Sequence, residues 1–265
     1  MKVLLTQPIF LPNEEILNKN VNSIKSIKNL IDNNVELTIE LAGWSKNDDY
    51  WNRFISTVNN LNLPSINITR FPQNYGKAFI INKLTKNIDK YDYMLTCDSD
   101  IIFKGGENYL NRLINLSKSS IDLMGRPFGV MALNQEEANC HLLDYLSENM
   151  KDIKCNDLIE KIRWNSKPSG IAGGCLFTSS NNWIKTGGYR EMGVYAGDDA
   201  LYLLDTNKVG NSFFLCETIS VIHPHENNSD YQKWKHKVCQ RDSHGTSSGI
   251  SETQIDEAEK FWKNE

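Results

Sequence analysis

Apolar residues along the first hundred positions switch repeatedly between unbroken runs and a spacing of three or four. Residues 2–6 form a short apolar run that predicts a first buried strand, and Leu17, Val21, Ile24, Ile27 and Ile31 recur at helical spacing, which predicts a helix over 13–31. Residues 35–42 alternate apolar and polar side chains as a strand does, 50–61 return to helical spacing, and 66–71 predict another strand. A helix over 78–88 and a strand over 93–97 follow, the latter a run of the kind buried on both faces. Strand and helix in alternation predict an α/β fold: a doubly wound, mostly parallel sheet flanked by helices, with ligands at the carboxyl ends of the strands.

The pattern loses regularity in the second half. Residues 135–162 predict a helix-like stretch, a glycine-rich segment spans 170–174 before a strand at 175–178, and 219–222 read as a short strand. No repeat or low-complexity linker divides the chain, and 243–251, rich in Ser, Gly and Thr, predicts a loop ahead of a short charged C-terminal helix. With 265 residues, 40% of them hydrophobic, one full core is within reach, so 1–265 is expected to be a single domain.

Composition narrows the function classes. The 29 basic and 33 acidic residues are mixed along the chain and leave a formal net charge of −4, without the dense Lys/Arg tract of a phosphate-backbone binder, which makes nucleic acid a poor first partner. The cysteines (Cys97, Cys140, Cys155, Cys175, Cys216 and Cys239) are scattered with no CxxC pair, which argues against a zinc ribbon or a disulfide framework and for reduced, mostly buried thiols. One lysine precedes the apolar stretch Val3-Leu4-Leu5, too short for a signal peptide or membrane anchor, so the expectation is a soluble, cytoplasmic protein with no transmembrane segment.

Three acidic or imidazole clusters carry candidate chemistry. Asp98-Ser99-Asp100 follows the buried run 93–97 and precedes Ile101-Ile102-Phe103, so two carboxylates are held at a strand end, where they suit Mg²⁺ or Mn²⁺ with a diphosphate supplying further oxygens. Among 17 aspartates a D-x-D triplet arises about once by chance, so its place after a buried strand is what gives it weight. Asp198-Asp199, after Gly197 and before the apolar run 200–204, caps a helix or supplies a general base. His223-Pro224-His225 follows a strand, and either imidazole could complete a metal shell begun by Asp100. Asn74-Tyr75-Gly76-Lys77 reads as a loop with a solvated lysine or as backbone and an ammonium brought close to a nucleotide; 170–174 reads as a turn or as a close approach to a sugar.

In this order the segments resemble glycosyltransferases of the GT-A fold, a Rossmann-like nucleotide-diphospho-sugar transferase fold, particularly family 2 enzymes and the catalytic domain of the β-1,4-galactosyltransferases. The likeness runs from about Pro8 to about His225. It rests on the opening strand-turn-helix with Asn13-Glu14-Glu15, on Asn74-Tyr75-Gly76-Lys77-Ala78 with Asn82, on Tyr91-Asp92-Tyr93 leading into Asp98-Ser99-Asp100, and on Gly173-Gly174, Gly187-Gly188-Tyr189 and Gly197-Asp198-Asp199.

The resemblance implies a nucleotide-binding half at 1–105, a donor-sugar and acceptor half at 106–240, and a loop and C-terminal helix at 241–265. It implies nucleotide or donor contacts from Pro8, Ile9, Phe10, Trp44, Asn74, Lys77, Asp98, Ser99, Gly173 and Gly174, and a metal, Mn²⁺ or Mg²⁺, held by Asp98, Asp100 and one of His223 and His225. Asp199 is then the catalytic base beside Asp198, with Tyr195 and Gly197 on the acceptor side. The chain departs from the family pattern where an acidic turn commonly contacts the base: it has Gly43-Trp44-Ser45, with Asp48 and Asp49 only later, and an Asp-Asp pair in place of the commoner Glu-Asp.

The activity these features imply is inverting transfer of a sugar, by default from a UDP-hexose, to an acceptor hydroxyl on a glycan, a lipid-linked sugar or a protein, with modified DNA disfavoured by the acidic charge. A sugar-phosphate nucleotidyltransferase is the rival enzyme, but it normally opens with a Gly-rich, basic loop where this chain has Gln7-Pro8-Ile9-Phe10-Leu11-Pro12. A non-catalytic nucleotide-sugar-binding domain and a metal-dependent hydrolase would also suit a metal-binding carboxylate pair on this kind of sheet.

Overall fold

Successive residues of the strands feed two different cores, which is what a sheet covered on both faces requires. In a computed structural model, which describes residues 1–106, 108–137, 149–155, 157–164, 173–191 and 198–224, Val3 and Leu5 pack into one core while Leu4, between them, packs into the other. The same alternation splits Leu95 and Cys97 from Met94, and Phe214 and Cys216 from Phe213 and Leu215.

The chain begins with β1 (Lys2–Leu11), α1 (Glu14–Ser26), β2 (Glu36–Ser45), α2 (Asp48–Asn59), β3 (Ile66–Arg70), α3 (Lys77–Leu84) and β4 (Tyr93–Cys97). Helix starts are set by side chains: Asn13 and Asn47 accept from the amides of Ile16 and Tyr50, satisfying donors that a helix N-terminus leaves orphaned. β5 (Ile102–Phe103), α4 (Tyr109–Met124), β6 (Phe128–Glu136), β7 (Asn149–Cys155), β8 (Leu158–Trp164), β9 (Cys175–Ser179), α5 (Ser180–Thr186), α6 (Asp198–Lys208) and β10 (Ser212–Ile222) follow.

The strands form one sheet in the order β3-β2-β1-β4-β9-β6-β10-β8-β7, with β5 pairing β10. β1, β2, β3, β4, β6, β7 and β10 run one way, and β5, β8 and β9 run against them. This is the expected mixed α/β, mostly parallel sheet. Helices α1, α2 and α4 cover one face through Leu17, Ile24, Phe54, Leu110 and Leu113; α3, α5 and α6 cover the other through Ile81, Trp183 and Tyr202. The chain moves outward from β1 through β2 to β3 and then returns to β4 on the far side of β1, so the carboxyl ends of β1 and β4 flank the switch point where α/β sheets bind ligands.

The described parts of the stretch 135–162, where a helix was expected, are strand. They are the end of β6 followed by the antiparallel hairpin β7–β8, in register from Asn149↔Trp164 to Cys155↔Leu158. The hairpin lays Ile153, Cys155 and Ile162 on one face toward α4 and carries Glu160, fully buried, on that same face. Arg112 of α4 makes that burial tolerable with two hydrogen bonds to the Glu160 carboxylate, at 2.7 and 3.0 Å.

Candidate functional site

The Asp98-Ser99-Asp100 turn leaves β4 at the switch point, and its two carboxylates go to different partners. Asp98 Oδ1 lies 2.6 Å from Lys77 Nζ, and the same ammonium donates to the Gly173 carbonyl at 3.1 Å. Gly173 in turn donates its amide to Asp199 Oδ2 at 2.5 Å, which fixes the orientation of that carboxylate at the start of α6. One step on, the Gly174 carbonyl accepts from the Asp98 amide at 2.8 Å. Lys77, Asp98, Gly173 and Asp199 therefore form one connected set, drawn from four separate segments of the sequence.

Asp100 faces the other way. Its Oδ1 lies 3.4 Å from His223 Nε2, and His223 Nδ1 lies 2.7 Å from Gln135 Oε1. β6 and β10 run side by side, the His223 amide donating to the Glu136 carbonyl at 2.9 Å, so the end of one strand supplies the glutamine and the end of the next the histidine. With Nδ1–H donating to the glutamine oxygen, Nε2 is the nitrogen presented to Asp100. Burial acts to raise the Asp100 carboxyl and to lower the His223 imidazole. Their polar contact at 3.4 Å, weak as a hydrogen bond but favourable in charge, outweighs it, so Asp100 is held below the usual carboxylate range and His223 above the usual imidazole range.

The two glycines are explained by these side chains. A Cβ on Gly173 would lie 2.1 Å from Asp199 Cβ, and one on Gly174 would lie 2.5 Å from Gln135 Oε1. The absent side chains leave room for the Asp199 carboxylate and the Gln135 amide against the backbone.

The remaining expected residues divide by position. At the ends of β1 and β2, Phe10 and Trp44 are register partners whose rings stack with centroids 5.6 Å apart, beside half-buried Pro8. The Ile9 side chain points into the core and is 1% exposed, so only its main chain reaches the strand end. Asn74 accepts from the Gly76 amide at 3.0 Å and shapes the loop before α3. Ser99 sits half-buried in the turn between the two carboxylates. Asn82 accepts from the Tyr189 amide and donates to the Tyr189 carbonyl, tying α3 to the Gly187-Gly188-Tyr189 turn. α6 is anchored by Tyr202, whose hydroxyl accepts from Asn182 at 2.8 Å, and by Asp205, paired with Arg190. Tyr195, Gly197 and His225 lie outside the described residues, as do Cys140, Cys239 and the side chain of Asp198; Cys97, Cys155, Cys175 and Cys216 are free and buried.

No family model matches the sequence, and no curated protein matches it. Solved structures do. Residues 1–349 of S. aureus TarS superpose with a TM-score of 0.58 at 10% identity, over 84% of this chain and 60% of that one, and TarS is also known in complex with UDP. The mannosyltransferase PcManGT from Pyrobaculum calidifontis, in complex with GDP-mannose and Mn²⁺, superposes with a TM-score of 0.58 at 13% identity, over 90% of this chain and 61% of that one. The chain has a glycosyltransferase fold. It spans about three-fifths of the length of these neighbours.

Within that fold, sequence reasoning missed Gln135, whose only signal was its place in the polar pair Asn134-Gln135 that ends the apolar run Phe128 to Leu133. It missed Gln7 and Ser23 as well, both fully buried beneath the turn that carries Asp98 and Asp100. No described helix is long and apolar enough to cross a membrane, and among the described residues no group of three or more His, Cys, Asp and Glu side chains is gathered as a metal cage.

Proposed function

We propose that the chain is a metal-dependent, inverting glycosyltransferase that moves a sugar from a nucleotide sugar to an acceptor hydroxyl. The observation that carries this reading is the convergence, at the switch point, of Asp100 and His223 on one side with Lys77, Gly173 and Asp199 on the other. The solved neighbours holding GDP-mannose with Mn²⁺, or UDP, support a sugar-nucleotide donor and a divalent ion.

The residues present fit such an ion. At 3.4 Å, Asp100 Oδ1 and His223 Nε2 are too far apart for a strong hydrogen bond and close to the separation of about 3 Å between adjacent ligands of an octahedral ion. Two protein ligands suffice for Mg²⁺ or Mn²⁺ where a diphosphate supplies further oxygens, which reconciles the pair with the lack of a three-residue cage among the described residues. When bound, the ion neutralises charge on the departing diphosphate.

The protein's own residues do the rest. Asp199, oriented by the Gly173 amide, takes the acceptor's proton as the acceptor oxygen attacks the anomeric carbon; the bond from that carbon to the diphosphate oxygen breaks on the opposite face, with no covalent enzyme intermediate. Lys77 holds Asp98 and the Gly173 carbonyl, keeping the glycine pair against the metal turn. Phe10 and Trp44 offer an aromatic surface for the base in place of the acidic turn common in the resembling family. The division into a nucleotide-binding half at 1–105 and a donor and acceptor half at 106–240 belongs to the same reading. A UDP-hexose donor rests on the resemblance to the β-1,4-galactosyltransferases and family 2 enzymes, and the GDP-mannose neighbour puts GDP-sugars in the same screen.

The test is turnover of UDP- and GDP-sugars with Mn²⁺ or with EDTA, on wild type, Asp100→Ala and Asp199→Ala. Release of nucleoside diphosphate that needs Mn²⁺ and is lost in both variants is expected. A folded protein that neither binds nor cleaves any sugar nucleotide would overturn the reading and leave a binding module or a nucleotidyltransferase in its place.

A further inference from the structure

Gln7 is a polar side chain inside an apolar strand, flanked on its own face of β1 by Leu5 and Ile9, and it is fully buried. A leucine or methionine there would continue the core, and the glutamine leaves its Oε1 without a hydrogen-bond partner. What the amide does with its nitrogen is specific. Nε2 donates to the Asp98 carbonyl at 3.2 Å and to Ser23 Oγ at 2.7 Å, and Ser23 Oγ donates onward to the Ile101 carbonyl at 2.5 Å.

Asp98 and Ile101 are the two ends of the turn that carries both carboxylates, closed by an Ile101 amide to Asp98 carbonyl bond at 3.3 Å. The Gln7–Ser23 relay grips both ends from below, leaving the Asp98 and Asp100 side chains to project to Lys77 and His223 above. Ser23 belongs to a polar line on α1 and the turn that follows it: Ser26 Oγ accepts from the Phe103 amide at 2.9 Å and Asn29 Nδ2 donates to the Phe103 carbonyl at 2.7 Å. Those two contacts hold β5, beyond the carboxylates, whereas Gln7 and Ser23 hold the turn itself.

We propose that Gln7 and Ser23 are positioning residues of the metal turn, setting the direction of the Asp98 and Asp100 carboxylates; this rests on the metal-binding reading above. Chains of hydrogen bonds polarise one another in a low-dielectric interior, so an uncharged relay can stiffen an irregular turn without adding a competing ligand. A side chain that orients a ligand changes metal affinity by about 10–100-fold when it is removed.

The test compares Gln7→Met, Ser23→Ala and Ser26→Ala in the full chain. Mn²⁺ affinity is read, with UDP or GDP present and against nucleotide alone, from the electron paramagnetic resonance signal of free Mn²⁺, and melting temperature and amide exchange over residues 98–103 are read on metal-free protein. The expected result is Mn²⁺ binding weakened about 10–100-fold in Gln7→Met and Ser23→Ala, with faster exchange in the turn. Ser26→Ala, which loses a buried hydrogen bond of the same kind and should melt at a comparable temperature to Ser23→Ala, should bind Mn²⁺ as wild type does. If Ser23→Ala and Gln7→Met bind Mn²⁺ as tightly as wild type, the relay is only packing and the proposal falls alone. If wild type binds no Mn²⁺ with either UDP or GDP present, the metal reading falls and takes the relay's role with it. Should Gln7→Met fail to fold, the Ser23→Ala and Ser26→Ala pair decides by the same readings.

Discussion

Asp98 and Asp100 stand two residues apart on one turn, yet different regions of the molecule hold them. Asp98 is drawn into a short charge-assisted contact with Lys77, which ties the turn to Gly173 and through it to Asp199. Asp100 meets His223 at a longer distance, with Gln135 setting the imidazole from behind. The tight contact builds the scaffold, and the looser one has the spacing of two ligands on a cation. One D-x-D triplet thus separates into a residue that ties the turn to Lys77 and Gly173 and a residue that, in the proposed function, holds the ion.

The sharpest way to break that distinction is to neutralise the carboxylates one at a time. Asp199→Asn keeps an acceptor for the Gly173 amide but removes the proposed base, so turnover should fall by about 10²–10⁴-fold while Mn²⁺ binding and melting temperature stay at wild-type values. Asp100→Asn should abolish measurable Mn²⁺ binding and lower turnover by about 10²–10³-fold, the scale of losing one preorganised group that stabilises transition-state charge. A calorimetric titration with Mn²⁺ beside the rate measurement separates the two variants.

Effects on the scaffold should be smaller in rate and larger in stability. Gly174→Ala places a methyl within 2.5 Å of Gln135 Oε1, so the amide must leave His223; Mn²⁺ affinity should drop about tenfold and stability by about 1–3 kcal/mol, read by titration and denaturant melts. Lys77→Met leaves Asp98 and the Gly173 carbonyl without their shared donor, and should cost about 1–3 kcal/mol, toward the lower end because Asp98 is partly solvated. Its Mn²⁺ affinity should change less than that of Asp100→Asn, because the carboxylate it releases organises the turn and the one it leaves in place is the proposed ligand.

The parallel half of the sheet was legible because β1 and β4 carry short runs buried on both faces, β2 alternates apolar and polar residues, and the helices keep one apolar stripe, as in Leu17, Val21 and Ile24. The β7–β8 hairpin was not legible. Its covered face carries Glu160 where alternation calls for an apolar residue, and Ile159 is 61% exposed, so the period of two is disguised. The candidate site was half legible. Carboxylates and a histidine at strand ends announce themselves by type and place, whereas Gln135, Gln7 and Ser23 act through contacts across the sheet that no local spacing records. Gly173 and Gly174 were visible as a pair, but that they make room for Asp199 and Gln135 appears only when β6, β9 and α6 are assembled.

The most direct measurement is anomalous diffraction at the manganese edge from crystals grown with Mn²⁺ and UDP or GDP. A single peak within bonding distance of Asp100 and His223, next to the diphosphate, is the expected result. Nucleotide bound with the manganese elsewhere, or with no manganese peak at all, would contradict the metal role given to Asp100 and His223.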